Sequence, residues 1–495
     1  MHTRRFVAVT VGLALLAGLL ASPAAAKPDR HNKPTTDSEP TTIETNTLTE
    51  TTTSDANVEP SMTDTMSTSD AVYDPAAALG SMYNVVDQIG ARKLWQAGIT
   101  GRGVDVAVID TGVAPVPALL GADKVGAMVD LSFESSVPEA AYLDTYGHGT
   151  HMIGIIAGRE PGAEPATAHQ RPGELLGVAP DARIVSVKVG DNTGAVDVSQ
   201  VIAAIDWVVQ HRNTGDLNIR VINLSYGTDS TQDYRIDPLA AAVERAWHAG
   251  IVVVVPSGND GWNLNSDGMT NPASDPYVIA VGAVEATETG FVIPSWSGGG
   301  EFSTATETKG RRHFWQDGYT GRIPDVVAPG SHIDSLRAPG SRIDVEHPEG
   351  YVTETVFRGS GTSQAAAVVS GAAALLLSQR PELDPDQVKA LLRDSATPVY
   401  GSAALTGEGV INVAAAAANR IPETTQTWER SSGLGSLEAA RGTQHVIIDG
   451  VLLEGEITAY GDPWDPHTVI NAAEAGTSWT DGTWTGSSWT GSSWT

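Results

Sequence analysis

Cysteine is missing from all 495 residues, so a disulfide framework, a thiolate nucleophile and a Cys-built metal site are excluded at the outset. Basic side chains are scarce beside acidic ones, 30 against 59, and the net charge of −29 argues against nucleic acid or an anionic membrane as partner. The apolar run of residues 6–20 is shorter than the ~20 residues a spanning helix needs. Arg4 and Arg5 precede it and Ala24-Ala25-Ala26 follows it, the pattern of a signal peptide over residues 1–26. A secreted, extracellular product is expected, with no stable membrane span after signal removal. The Arg pair leaves both the general secretory and the twin-arginine route open.

Residues 27–81 are rich in Thr, Ser and acidic residues and poor in large apolar ones, so they read as a linker that cannot bury enough surface to fold. From residue 82 the pattern alternates. Strand-like runs at 104–109, 184–189, 221–224, 251–255 and 278–281 are separated by helical segments. One of these puts Val201, Ile202, Ile205, Val208 and Val209 on a single face, and another opens at Pro238 and runs to about His248. Buried strands alternating with amphipathic helices imply an α/β fold over residues 82–420, with a mostly parallel β-sheet and helices on both faces. A helix about 386–395 and an Ala-rich run near 412–419 close this domain.

Residues 421–475 form a small C-terminal extension in which Asp449-Gly450 reads as a hairpin turn. Residues 476–495 carry Trp479, Trp484, Trp489 and Trp494, a five-residue period that matches neither one helical face nor one strand face. This repeat reads either as a sticky tail whose rings stack on a glycan, a cell-surface partner or the folded domain, or as a low-complexity end.

In a parallel sheet the functional residues leave the carboxyl ends of strands, and Asp110 does so in Val-Ala-Val-Ile-Asp-Thr-Gly. An aspartic-protease reading needs a second such carboxylate, and the chain has no second Asp-Thr-Gly or Asp-Ser-Gly. The stretch Asp144-Thr-Tyr-Gly-His-Gly-Thr-His sets His148 at a helix entry. His148 and His151 have a metal-chelating spacing, but no Glu stands between them and no third ligand is evident, so a general base is the better reading. Ser363 lies at the start of an Ala-rich helix, where unpaired N–H groups and the helix dipole favour developing negative charge. Its plainer role there would be an N-cap.

Together these blocks resemble the subtilisin-like serine proteases, the subtilase or peptidase S8 family, whose motifs come in the order Asp, His, Ser. Further matches are Gly177-Val-Ala-Pro180, Val221-Ile-Asn-Leu-Ser-Tyr-Gly227, Ser257-Gly-Asn259 and Pro324-Asp-Val-Val-Ala-Pro-Gly330. The resemblance spans roughly residues 82–417 and implies a secreted serine endopeptidase acting through an acyl-enzyme. In that scheme Ser363 is the nucleophile, His148 the base and acid, Asp110 the group that orients the imidazole, and Asn259 a donor to the oxyanion beside the Ser363 N–H. It further implies that Ser225, Tyr226, Gly227 and Gly258, with Gly194 of the Asp191-Asn-Thr-Gly loop, line the edges that hold a polypeptide substrate as a strand.

The chain departs from the family in having Gln364 where Met is usual, Ala367 where Pro is usual, and Tyr226 where Leu is frequent. Residues 27–81 do not look like the folded propeptide that subtilases commonly carry. The resemblance implies no cofactor for the chemistry; structural Ca²⁺ is common in the family, but no loop here names its ligands. A rival reading is a cell-surface binding protein or adhesin with an incidental or inactive protease domain, which only the Trp tail favours.

Overall fold

Near-continuous apolar strands bury both faces, and that is what most strands of the main sheet do. In the computed structural model, which describes residues 73–121, 124–261, 268–300, 322–480 and 482–484, the main sheet comprises eight strands. They are β1 (Asp105–Asp110), β2 (Val125–Asp130), β3 (Arg183–Lys188), β4 (Ile219–Leu224), β5 (Val252–Pro256), β6 (Ile279–Thr287), β7 (Gly290–Val292) and β8 (Val326–Pro329). Their order is β2-β3-β1-β4-β5-β6-β7, with β8 also paired to β6. Every pairing is parallel except that of β6 with β7.

Each expected strand is present; four are shifted by a residue or two at their ends, and the one expected at 278–281 runs on as β6 to Thr287. Asp105 stands opposite Arg183 across β1 and β3, and the two side chains pair at 2.7 Å. The expectation missed β2, which alternates exposed and half-buried residues at the sheet edge before its last two become buried.

Helices cover the sheet: α1 (Met82–Gln88), α2 (Ala91–Gln96), α3 (His148–Ala157), α4 (Val198–His211) and α5 (Pro238–His248). Asp197 and Gln200 form a capping box at α4, and Asp237 caps α5 ahead of Pro238. A second, two-stranded sheet pairs β9 (Ile333–Leu336) with β10 (Val356–Gly359), and α6 (Arg342–Glu346) lies between them in the chain. Next comes α7 (Thr362–Gln379), buried at every residue from Thr362 to Leu377. Its Ala, Gly and Ser residues let it lie close under the strands, and Ser370 donates to Asn223 Oδ1 of β4 at 2.9 Å. The helices α8 (Pro385–Asp394), α9 (Ala403–Thr406) and α10 (Val413–Ala418) follow.

Order starts earlier than composition suggests. Tyr73 donates to Asp334 at 2.8 Å, and the Asn84 amide donates to the carbonyls of Pro75, Ala76 and Ala78, so residues 73–81 belong to the fold rather than to a linker. Hydrogen bonds, one of them to the buried Asp334, hold this short segment to the fold although most of it stays partly exposed. The expected signal peptide and the rest of the expected linker lie outside the described residues, as do Trp489 and Trp494.

Beyond residue 421 the chain runs through α11 (Leu437–Arg441), the antiparallel pair β11 (Ile447–Ile448) and β12 (Val451–Leu452), and α12 (Pro466–Ala475). Asp449 and Gly450 both take positive φ at the hairpin turn, as a tight two-residue turn demands. The last pair, β13 (Trp479–Thr480) and β14 (Thr483–Trp484), sets Trp479 directly opposite Trp484. A five-residue period is thus a cross-strand spacing: in a hairpin with a two-residue turn, partners differ by three and then by five. Both rings are buried, and their indole N–H groups donate to Ala203 O at 3.0 Å and to Asp206 at 3.1 Å, on α4. Leu437, Ala440, Trp464 and Val469 join the same core.

Trp484, 1% exposed, is therefore a core residue. Trp484→Ala is expected to lower the unfolding free energy by about 3–5 kcal/mol, read from denaturant melts; a variant as stable as the parent would remove the hairpin from the core.

Candidate active site

β1, β4 and β5 lie side by side, and the chain leaves their carboxyl ends at Asp110, Ser225 and Ser257. The start of α3 reaches this end of the sheet at close range. A Cβ on Gly149 would fall 2.4 Å from Gly112 O, so only glycine permits the approach. His148, the first residue of α3, thereby meets Asp110, with Nδ1 at 2.8 and 3.0 Å from the two carboxylate oxygens. Burial disfavours the imidazolium, but the Asp110 charge and its hydrogen bond outweigh this and hold the His148 pKa above the ordinary histidine value.

A further carboxylate, whose role the motif reading left unassigned, organises the approach. The N-cap of α3 is Gly147, which has no side chain to offer. Asp144 substitutes for it, accepting from Gly147 N at 2.6 Å and Thr150 N at 2.7 Å. It also accepts from Thr111 Oγ1 at 2.8 Å, and that hydroxyl in turn accepts from Gly149 N. Thr111 N donates to Asp110 Oδ1 at 2.8 Å, so acid, helix start and imidazole form one connected network. Fully buried Lys188 ties down the chain on both sides of Asp144, donating to Leu143 O at 2.5 Å and to Thr145 Oγ1 at 3.3 Å while pairing with Glu134. Burial pushes the Asp144 pKa up against these donors.

Ser363 is the second residue of α7, and the N-cap is Gly361, so the capping role open to the serine is not the one it plays. Among the described residues its hydroxyl makes no hydrogen bond, and it is 8% exposed. Thr362 donates through N and Oγ1 to Asn259 Oδ1 at 2.8 and 2.9 Å, which leaves the Asn259 Nδ2 group to act as donor beside the helix start. Gln364 and His151 both flank Gly359, so the α3 and α7 N-termini adjoin. His151 points at Phe357 O, 3.2 Å away, and burial pushes its pKa down to about 4. The two histidines do not converge on one ligand, and among the described residues no group of three or more His, Asp or Glu is arranged to hold a metal ion.

The two expected substrate edges flank these groups. Asp191 Oδ1 accepts from Thr193 and Ala195, folding a turn that gives Gly194 φ 79°; a Cβ there would lie 3.0 Å from the Tyr146 ring. On the other edge Ser225 accepts from Asn223 at 2.9 Å, and Gly227 and Gly258 both lie against Thr270. Tyr226 is half-buried, and its hydroxyl lies near enough to Asp197, Arg441 and Asp237 to feel their charges.

A parallel α/β sheet with a strand-end acid, a helix-entry histidine and a helix-entry serine at one end is the framework of a serine hydrolase. Comparison narrows the class. The chain matches the model of the Subtilase family (Peptidase_S8) over residues 101–435 and belongs to that family: it is a subtilisin-like serine endopeptidase. It is 34% identical over 323 residues to serine protease AprX of Bacillus subtilis, a stretch covering 63% of this chain and 67% of that one. It is equally identical over 336 residues to subtilisin of Bacillus pumilus, covering 67% and 97%. To the minor extracellular protease Epr of Bacillus subtilis it is 31% identical over 309 residues, covering 62% and 37%.

Asp144→Ala would leave the amides of Gly147 and Thr150 and the Thr111 hydroxyl without their acceptor. It is expected to lower stability by more than about 2 kcal/mol in thermal or denaturant unfolding, and an unchanged melt would show that the network does not hold the helix.

Proposed function

We propose that the chain is a secreted endopeptidase that hydrolyses peptide bonds through an Asp110–His148–Ser363 triad and an acyl-enzyme intermediate. The observation that carries this reading is the pairing of His148 Nδ1 with Asp110 while Ser363, relieved of capping, stands at the start of an adjoining helix. With Nδ1 bound to the acid, Nε2 is the nitrogen left to take the serine proton and return it to the leaving amine. A nucleophile that is loose before substrate arrives is usual, since such hydrogen bonds tighten in the complex. Asn259 Nδ2 and the Ser363 N–H supply donors to the oxyanion, at the positive end of α7.

The peptide lies between the Asp191–Gly194 turn and Ser225–Gly227, pairing with each edge as a strand, with Gly258 beside the reacting carbonyl. No step in this scheme calls for a cofactor, and Ca²⁺ would enter only as a structural ion. Export is supported by the charged, apolar and small-residue segments over residues 1–26 and by the extracellular relative, and no helix among the described residues is long and apolar enough to cross a membrane. Any glycan or cell-surface contact of the tail falls to Trp489 and Trp494, because Trp479 and Trp484 are already buried.

Ser363→Ala is expected to abolish both hydrolysis and labelling by a serine-directed phosphonate; retained activity would place the nucleophile elsewhere. Because the base must be neutral and its pKa is raised, kcat/KM should climb with pH through a midpoint above about 6.5, and Asp110→Asn should move that limb downward. Asn259→Ala should cut kcat by about 10²–10³-fold with little change in KM, a magnitude taken from subtilisin itself rather than from this geometry.

A further inference from the structure

The family match ends at residue 435, yet the chain goes on to build α11, whose last two residues reach toward both substrate edges. Ala440 O accepts from Thr228 Oγ1 at 2.7 Å, one residue beyond Gly227. Arg441 Nε donates to Asp197 Oδ2 at 2.6 Å, three residues beyond Gly194. Neither side chain of that pair has any exposed surface. The other guanidinium nitrogens donate to Gly455 O at 2.6 Å, to Glu438 at 3.0 Å and to Ile457 O, so every nitrogen of the buried cation is bonded.

Neighbouring bonds reinforce both attachments. On one edge Thr443 N donates to Asp229 at 2.7 Å, and Ser436 exchanges hydrogen bonds with Gln232 at 2.9 and 3.2 Å. On the other, Ala459 N donates to Ser199 Oγ at 2.9 Å, and the Trp hairpin grips Gln210 farther along α4.

We propose that residues 436–484 act as a strap that fixes the spacing of the two substrate edges, with Arg441 as a positioning residue for recognition of an extended peptide. The proposal rests on the function proposed above and adds a determinant outside the region of family similarity. Arg441 makes no contact with Asp110, His148 or Ser363 among its bonds. Its effect should therefore fall on substrates that span the edges and spare those that meet only the reacting groups.

The test compares two substrates in the full chain: a peptide amide of six or more residues and a single-residue ester. Arg441→Met is measured beside the double variant Arg441→Met with Asp197→Asn, which removes both charges, keeps a capping side chain at position 197 and guards against simple misfolding. Phosphonate labelling of Ser363 counts the folded sites in each preparation. Expected is a rise of about tenfold in KM for the long peptide, with kcat and the ester rate per labelled site changed less than twofold. Restoring Arg441 to the double variant should bring KM part of the way back down. Equal losses on both substrates, or none on either, would overturn the strap while leaving the catalytic assignment intact. A parent chain that takes no label at Ser363 would remove the proposed function and this inference with it.

Discussion

Helix α3 has a glycine as its N-cap, so the amides at its start need an acceptor from elsewhere in the chain. Asp144 provides it from inside the protein, its burial compensated by hydrogen-bond donors, with no paired cation among the described residues. The same carboxylate orients Thr111, whose backbone N–H steadies Asp110, and so the position of His148 relative to its acid depends on one buried charge. The cap and the reacting pair are one network. A change that loosens the helix start also tilts the imidazole, so stability and chemistry at this end of the sheet are hard to separate.

The scarcity of basic residues gains meaning inside the fold. Several of the cations are buried cross-links rather than surface charges. Lys124 donates to the carbonyls of Ala157, Pro180 and Ala182, and Lys389 to those of Pro276, Tyr277 and Val278. Burial drags their pKa values down, to about 8 and about 7. Lys188 and Arg441 play corresponding parts at the two sides of the site, where each ties loops that carry functional groups. An acidic surface remains outside, which repels other acidic macromolecules and favours solubility.

Much of this could be read from residues alone, for physical reasons that differ from element to element. β1, β3, β4 and β5 announced themselves because strands buried on both faces must be apolar throughout. α5 was legible to its ends because Asp237, Pro238 and the final His248 obey capping rules. The edge strand β2 was not, since alternation over six residues with a glycine inside carries little signal. Asp110, His148, Ser363 and Asn259 were proposed from motifs. Asp144 stood in the same motif without a role, because capping from three residues upstream of a glycine has no pattern of its own. Arg441 and Asp197 are 244 residues apart in the chain, and no local rule joins residues at such a distance. The Trp period was visible but read against the wrong templates; its explanation needed a register across two strands.

That hairpin also has a consequence in time. Asp110, His148 and Ser363 are all synthesised before α11, α12 and the paired tryptophans. On the strap proposed above, a growing polypeptide holds the three side chains assigned to the triad while α4 still lacks its outer cover and the two edges their fastening. The cleft then takes its final width only once the chain has been made through Trp484.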